Sequence, residues 1–297
     1  MRAHVFLPLV LLTACGAKGA KMPPASEFPP AGQPALTRVV QAGAGGRVLR
    51  FTPTVDTADP MSAEIALKTN VKAGDRRAEG EATSYLLVVN RVDSVDADGG
   101  LALRTTIEGA NVEFKKAFEF TNLGLSPNEQ LRGLSIVTRA DGRGRLASVS
   151  VESDDVAASG ISEIGYDPNL LNGLAALPEE AVGVGAEWDA LGHLDASGIK
   201  IPFVAHYKLL ELDGSRVRLD VVLRASASGG EGVLLDADGV KLEEFELEGS
   251  GTLKLDLERP TRSEMNLAVK TDVDMEMAGT SFTAKMEFRA KVGPRPM

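Results

Sequence analysis

The sequence predicts a mainly β fold, built from long, twisted antiparallel strands. Two observations predict it. Apolar residues recur at every second position over long segments, and clusters of Asp and Gly typical of tight turns separate these segments. We expect the strands to form either a half-barrel or two joined curved sheets, with one short helical segment near residues 158–177.

The alternation is clearest toward the end of the chain. In segments 263–277 and 281–292, apolar residues alternate with charged or polar ones, and segments 216–225 and 251–257 show the same period. Because a strand points successive side chains to opposite faces, each segment predicts a strand with one buried face and one face in water.

Turn residues divide these segments and make the two halves of the chain look alike. Residues 85–109 resemble 203–226, and residues 134–153 resemble 251–272, in the order of strand, turn and strand. The likeness fits either a duplicated β unit or the ordinary self-similarity of a meander. The turn clusters lie at 96–100, 140–144, 212–214 and 236–239, and the two halves cover 47–157 and 178–292.

A helical segment is predicted between the halves, over residues 158–177. Asp167 can cap a helix, Pro168 suits its first turn, and the leucine-rich run "NLLNGLAAL" follows. We expect this segment to link the halves and to pack its leucines on the sheet.

The first residues of the chain have the pattern of an export signal. A basic residue, Arg2, precedes the apolar run 5–12, which is too short to span a bilayer. Residues 12–15, "LTAC", end in the only cysteine of the chain. The motif resembles the lipobox of bacterial lipoproteins.

That resemblance implies a signal peptide at 1–14 and a lipidated Cys15. In such lipoproteins the thiol carries diacylglycerol and the new amino terminus is acylated, for example with palmitate. Gly16, in place of Asp, implies sorting to the outer membrane. The alternative is an ordinary secretory signal with an incidental cysteine.

Residues 15–46 predict a flexible tether, because Gly, Ala and Pro dominate and little apolar surface is available for burial. One part of it, "LTRVV" at 36–40, could instead pair with the domain as a short strand. The β domain itself is expected at 47–292, and residues 293–297 form a short tail.

The composition argues against several classes of function. A net charge of −10 without a basic stripe argues against nucleic acid as a partner. His193 and His206 lack the spacing of a metal site, and the chain has neither a G-x-S-x-G elbow nor a G-K-[ST] phosphate loop. The Asp-rich turns lack the ligand spacing of a calcium loop. We therefore expect no enzyme activity, no metal and no cofactor, and a hydrolase with an unrecognised site is the third hypothesis.

Two features are compatible with ligand binding. Trp188 is the only tryptophan, and four methionines fall on the predicted inner faces of strands: Met265, Met275, Met277 and Met286. Methionine adapts to irregular apolar ligands, and an indole can close a cavity mouth. Packing in an ordinary core is the other role that fits these five residues.

Segments "LPEEAVGVGAEW" (177–188), 206–221 and 249–272, together with the lipobox and the Pro-rich tether, are similar to a family of uncharacterised bacterial lipoproteins with a domain of unknown function. The resemblance covers about 47–292 and implies an exported β-rich domain with no known reaction. The leading hypothesis is a lipid-anchored, non-enzymatic envelope protein that binds an apolar ligand or an envelope protein with its curved sheet. The alternative is a scaffold subunit with a filled core.

Overall fold

The computed structural model confirms a mainly β, antiparallel fold. The structure describes residues 22–116, 131–152, 174–196, 199–228, 234–235, 240–277 and 279–295. The predicted signal peptide, Cys15 and residues 158–173 of the predicted helix lie outside these ranges.

The strands of the described residues follow one another as antiparallel hairpins. Their bounds are β1 (Leu36–Gln41), β2 (Ala44–Arg47), β3 (Ala58–Ala73), β4 (Arg76–Val95), β5 (Leu101–Lys116), β6 (Ser135–Ala140), β7 (Leu146–Glu152), β8 (Val182–Val184), β9 (Glu187–Ala196), β10 (Ile199–Asp213), β11 (Arg216–Ser228), β12 (Leu234–Leu235), β13 (Val240–Asp256), β14 (Glu264–Met277) and β15 (Thr280–Pro294). The described residues also contain two 3₁₀ turns, Ala25–Glu27 and Pro260–Arg262.

One large open sheet holds thirteen of the described strands, in the order β1-β9-β10-β11-β13-β14-β15-β3-β4-β5-β6-β7, with β12 beside β10. Strands β3 to β7 form one meander, and β9 to β15 form another. The last strand of the chain, β15, joins the two by pairing with β3. Strands β2 and β8 form a separate two-stranded sheet. A single main sheet is thus observed rather than two joined sheets.

The predicted alternation governs which face of the sheet is buried. In β4, every second residue from Ala78 to Val92 is buried, while the residues between them are half-buried or exposed. We call the buried side the inner face. Three register shifts interrupt the pairing of β4 with β5, and such bulges bend a sheet and increase its twist.

Two segments outside the strands connect the two halves of the chain through backbone hydrogen bonds. The Phe51 N–H donates to Gly142 O at 2.8 Å, and the Thr52 N–H donates to Leu257 O at 2.8 Å. These bonds connect the β6–β7 turn with the end of β13. Gly144 in this turn has φ +73°, and a Cβ there would lie 2.5 Å from Ala175 O, so the close approach requires glycine.

The second segment corrects part of the helix prediction. Leu174–Leu177 is not helical. The Leu177 N–H donates to Arg143 O at 2.8 Å, and Ala176 O accepts from Trp188 Nε1 at 2.8 Å. The backbone groups of this segment therefore bond to residues that are distant in sequence. Ala175, Ala176 and Leu177 are buried in the core, and this burial decides the conformation of the segment.

The segment predicted as a tether is partly docked. Residues 36–41 form β1, which pairs with β9 at the edge of the sheet. The Phe28 ring lies against His193 with centroids 6.1 Å apart, and Pro29 is buried. Arg38 bonds to Glu27 at 2.5 Å and to Asp189 at 2.9 Å. The free edge of β9 offers backbone partners that composition does not reveal. At the other end, β15 continues to Pro294, into the predicted tail.

A buried carboxylate holds β3 to the turn before β14. Asp59 is 4% exposed and accepts hydrogen bonds from Arg259, Thr261 and Arg262 at 2.6–2.7 Å. Burial alone would raise the pKa of Asp59, but the bonds from Thr261 and the two arginines outweigh it and hold the pKa below its ordinary value.

Candidate functional site

Cross-strand rows on the inner face define the candidate site. In the first row the pairing places Leu223 opposite Gly249, Gly249 opposite Val269, Val269 opposite Phe288, and Phe288 opposite Leu67. The second row runs Ala225, Leu247, Thr271, Met286 and Thr69 in the same way. We call these ten residues the inner band.

The inner band is less buried than the apolar surface on either side of it. Eight of its ten residues are half-buried, and only Ala225 and Thr69 are buried. Toward one end of the strands lies the main core, which contains Met61, Leu86, Trp188 and Leu219. Toward the other end lies a smaller cluster around Ile201, Leu242 and Phe245. Leu223, Val269 and Phe288 pack against the main core, and Leu247 and Met286 pack against the smaller cluster. Because these side chains are only half-buried, part of the apolar surface of the band stays accessible.

Two glycines lie in or beside the band. Gly249 belongs to its first row, and Gly80 lies opposite Thr69 at the end of its second row. Neither residue adds a side chain to the inner face. A Cβ at Gly249 would lie 2.9 Å from Val269 Cγ2 and 3.4 Å from Leu223 Cβ, so neighbouring side chains already fill the space at this glycine.

The structure separates the predicted ligand contacts. Trp188 has no exposed surface and stacks on Tyr207 with centroids 5.4 Å apart, which is a core position. Met265 is 6% exposed in the main core. Met286 lies in the inner band, and Met275 lies four residues beyond Thr271 of its second row, packed on the smaller cluster. The side chain of Met277 lies outside the described residues.

Five further apolar residues of this region were not predicted as contacts: Leu67, Phe203, Leu223, Leu247 and Phe288. Phe203, Leu223 and Phe288 lie in segments that were predicted as strands, whereas Leu67 and Leu247 lie in segments for which no alternation was identified. Which of them meet depends on the register of strands far apart in sequence, such as β3 and β15.

His206 belongs to a polar network, whereas His193 packs against the Phe28 ring. His206 Nδ1 lies 2.8 Å from Asp189 Oδ1, and Glu187 contacts both His206 and Lys208. Burial opposes ionisation of Asp189, yet its bonds to His206 and Arg38 hold its pKa below the ordinary value. Burial and the nearby Lys200 lower the pKa of His193. Among the described residues, neither histidine is hydrogen-bonded to a serine.

The outer face carries two open grooves. The larger has a volume of about 930 Å³, with Tyr85 and Leu87 on one side and Lys254, Lys291 and Arg295 on the other. A groove of about 550 Å³ adjoins it and shares Lys254. Tyr85 and Leu87 are 43% and 41% exposed, so this face combines apolar surface with charge.

Two features are absent from the part of the chain that the structure describes. No helix there has the length and apolarity needed to cross a bilayer. No group of three or more His, Cys, Asp or Glu side chains there is arranged to hold a metal ion.

Comparison with known proteins gives weak matches. No protein-family model and no curated protein sequence matches the chain. Among solved structures, OpdQ of Pseudomonas aeruginosa is similar with a TM-score of 0.25 and 8% identity, over 81% of this chain and 100% of that chain. OccK11 (OpdR) of the same organism gives a TM-score of 0.24 and 9% identity, over 84% and 100%. The COG4313 outer membrane channel of Pseudomonas putida F1 gives 0.19 and 9%, over 82% and 97%. Similarity at this level supports no functional conclusion.

Proposed function

We propose that this protein is a lipid-anchored, non-enzymatic protein of the bacterial cell envelope, and that its inner band binds an apolar ligand. The observation that carries the proposal is the half-buried apolar strip between two packed clusters, which includes Leu67, Met286 and Phe288. Apolar sites with few polar groups are typical of small-molecule binding.

The docked amino-terminal segment supports a close attachment to the membrane. Phe28, where the chain already contacts the sheet, lies thirteen positions after Cys15. Fully extended, this stretch spans at most about 45 Å. Lipid chains on Cys15 would hold Phe28, and His193 of β9 that it contacts, within this distance of the outer-membrane surface.

Cys15→Ser is expected to release the protein from the membrane fraction, because the serine hydroxyl is not a substrate for thioether formation. Incorporation of labelled palmitate and partition between membrane and soluble fractions measure the effect. The soluble variant should keep the far-UV circular dichroism of the folded domain. Equal palmitate labelling of both proteins would contradict lipidation at Cys15.

Met286→Gln is expected to weaken binding of the fluorescent probe N-phenyl-1-naphthylamine about five- to tenfold, because the amide adds a polar group to an apolar surface. Arg289→Gln is the matched control: it introduces the same side chain on the same strand but at an exposed position of the opposite face. Fluorescence titration of the domain without its lipid measures both.

The comparison of the two variants decides whether the inner face binds. Equal affinities for Met286→Gln and the wild type, or equal losses in both variants, would count against the inner band. Native mass spectrometry of the protein extracted from cell envelopes would then show which molecule accompanies the chain.

A second candidate function, a scaffold or protein-binding subunit, is favoured by two observations. The main core is filled by Leu49, Phe51 and Leu177 from outside the main sheet, and the outer groove exposes Tyr85 and Leu87. A stable protein partner in the native mass spectrum, without a bound small molecule, would support this function instead.

A further inference from the structure

We infer that the ligand of the inner band carries a neutral hydrogen-bond acceptor beside its hydrocarbon part, and that the Thr69 hydroxyl donates to it. The inference rests on the proposed function and names the chemical class of the ligand: a fatty acyl ester rather than a plain hydrocarbon or a free fatty acid.

The first step is the state of the Thr69 side chain. Thr69 is 8% exposed, and its Oγ1 is buried without a hydrogen-bond partner in the described structure. Buried hydroxyls are nearly always paired, and an unpaired one is costly. The buried threonines Thr105 and Thr261, for example, follow that rule, with bonds of 2.8 Å to Asn90 and 2.6 Å to Asp59.

The second step is the position of this hydroxyl. Thr69 lies on the inner face at the end of the second row, between Met286 of β15 and Gly80 of β4. Another unpartnered hydroxyl, Ser263 Oγ, lies just before β14, away from the band. Among the residues of the inner band, Thr69 therefore carries the buried hydroxyl without a partner, and Gly80 beside it adds no side chain.

The third step is the charge around the hydroxyl. Its neighbours on the inner face are Leu67 and Val71 of β3, Met286 of β15 and Gly80 of β4, and none of them is charged. The lysines at 68 and 72 alternate onto the outer face. An ionised carboxylate would be buried there without a cation, which is unfavourable. An ester or amide carbonyl can accept from Thr69 without adding charge.

The test compares Thr69→Val with the wild type, using dodecane, methyl dodecanoate and sodium dodecanoate to displace N-phenyl-1-naphthylamine. The wild type should bind the methyl ester about tenfold more tightly than dodecane. Thr69→Val keeps the side-chain shape and should lose about five- to tenfold in ester affinity, with dodecane affinity unchanged within twofold. Thr69→Ser restores a hydroxyl and should restore the ester preference.

Urea denaturation of the ligand-free proteins supplies an independent readout. Because Thr69→Val removes an unpaired buried hydroxyl, the variant should unfold at a urea concentration no lower than the wild type. A clear destabilisation would mean that the hydroxyl has a structural partner, and it would overturn the inference. Equal losses for ester and dodecane, or a wild type that prefers dodecanoate, would overturn it as well.

These outcomes separate the two proposals. If the wild type binds dodecane and the ester equally well, the result supports the apolar site but contradicts the role of Thr69. If the wild type binds none of the three compounds, the result contradicts both the proposed function and the inference that rests on it.

Discussion

Replacing Trp188 by alanine is expected to lower the free energy of unfolding by about 3–5 kcal/mol. The indole has no exposed surface, stacks on Tyr207 at 5.4 Å, and donates from Nε1 to Ala176 O at 2.8 Å. The substitution leaves a large cavity in the main core and an unpaired carbonyl at Ala176. Urea denaturation followed by circular dichroism measures the loss, because the variant has no tryptophan to report fluorescence.

Two companion variants show which part of the indole matters. Trp188→Phe keeps a ring in the core but loses the donor to Ala176, so a smaller loss of about 1–3 kcal/mol is expected. Tyr85→Ala, on the exposed outer face, should change the stability by less than about 0.5 kcal/mol. A loss below about 1 kcal/mol for Trp188→Ala would contradict the core role.

The same core residue controls the titration of its neighbour. Burial raises the pKa of Tyr207 to about 12 from 10.0, although the backbone of Ala176 partly opposes the rise. In Trp188→Ala, water can reach the phenol, and the pKa should move back toward its ordinary value. Ultraviolet absorbance between pH 9 and 12 records the shift.

Replacing Asp59 by asparagine is expected to cost about 2–4 kcal/mol. The carboxylate accepts from Arg259, Thr261 and Arg262, and Thr261 is itself buried. Arg259 and Arg262 are 40% and 52% exposed and can turn to water, so the cost stays below that of a fully buried ion pair. Glu211→Gln removes an exposed partner of Arg218 and should cost less than about 0.5 kcal/mol.

The Asp59 cluster also predicts the acid dependence of stability. Because the native pKa of Asp59 lies below the ordinary 3.8, the unfolded chain binds its proton first as the pH falls. The stabilising contribution is complete above the unfolded pKa and disappears as the pH falls through the native pKa. Urea titrations between pH 6 and pH 3 should therefore show a smaller acid loss in Asp59→Asn than in the wild type. Parallel pH curves for the two proteins would contradict this assignment.

The strands were predictable because their signal is local. Each residue of segment 281–292 shows in the sequence which face it takes, and β15 follows that pattern from Phe282 to Val292. The bends at Gly144 and Gly214, both with positive φ, were also visible as Asp-Gly turns. Residue 36 was identified as the start of a strand that could pair, and β1 begins there.

The errors came where distant backbone groups decide the conformation. Helix propensity in "NLLNGLAAL" favours a helix up to Leu177. In the structure, however, the Leu177 N–H donates to Arg143 O, and Ala176 O accepts from Trp188 Nε1. Composition favours a mobile tether up to residue 46, but the edge of β9 accepts β1. Neither partner is near in sequence, so no local pattern reveals it.

The sequence alone therefore determined the strand-rich class and the two faces of each strand, since both depend on residues within a few positions of one another. The export signal is read from the same kind of local pattern and stays a prediction. Only the tertiary structure decided that β15 joins β3, that Trp188 is enclosed in the core, and that Thr69, Met286 and Phe288 share one strip. Pairing between strands far apart along the chain fixes these contacts, and that pairing depends on the packing of the whole sheet.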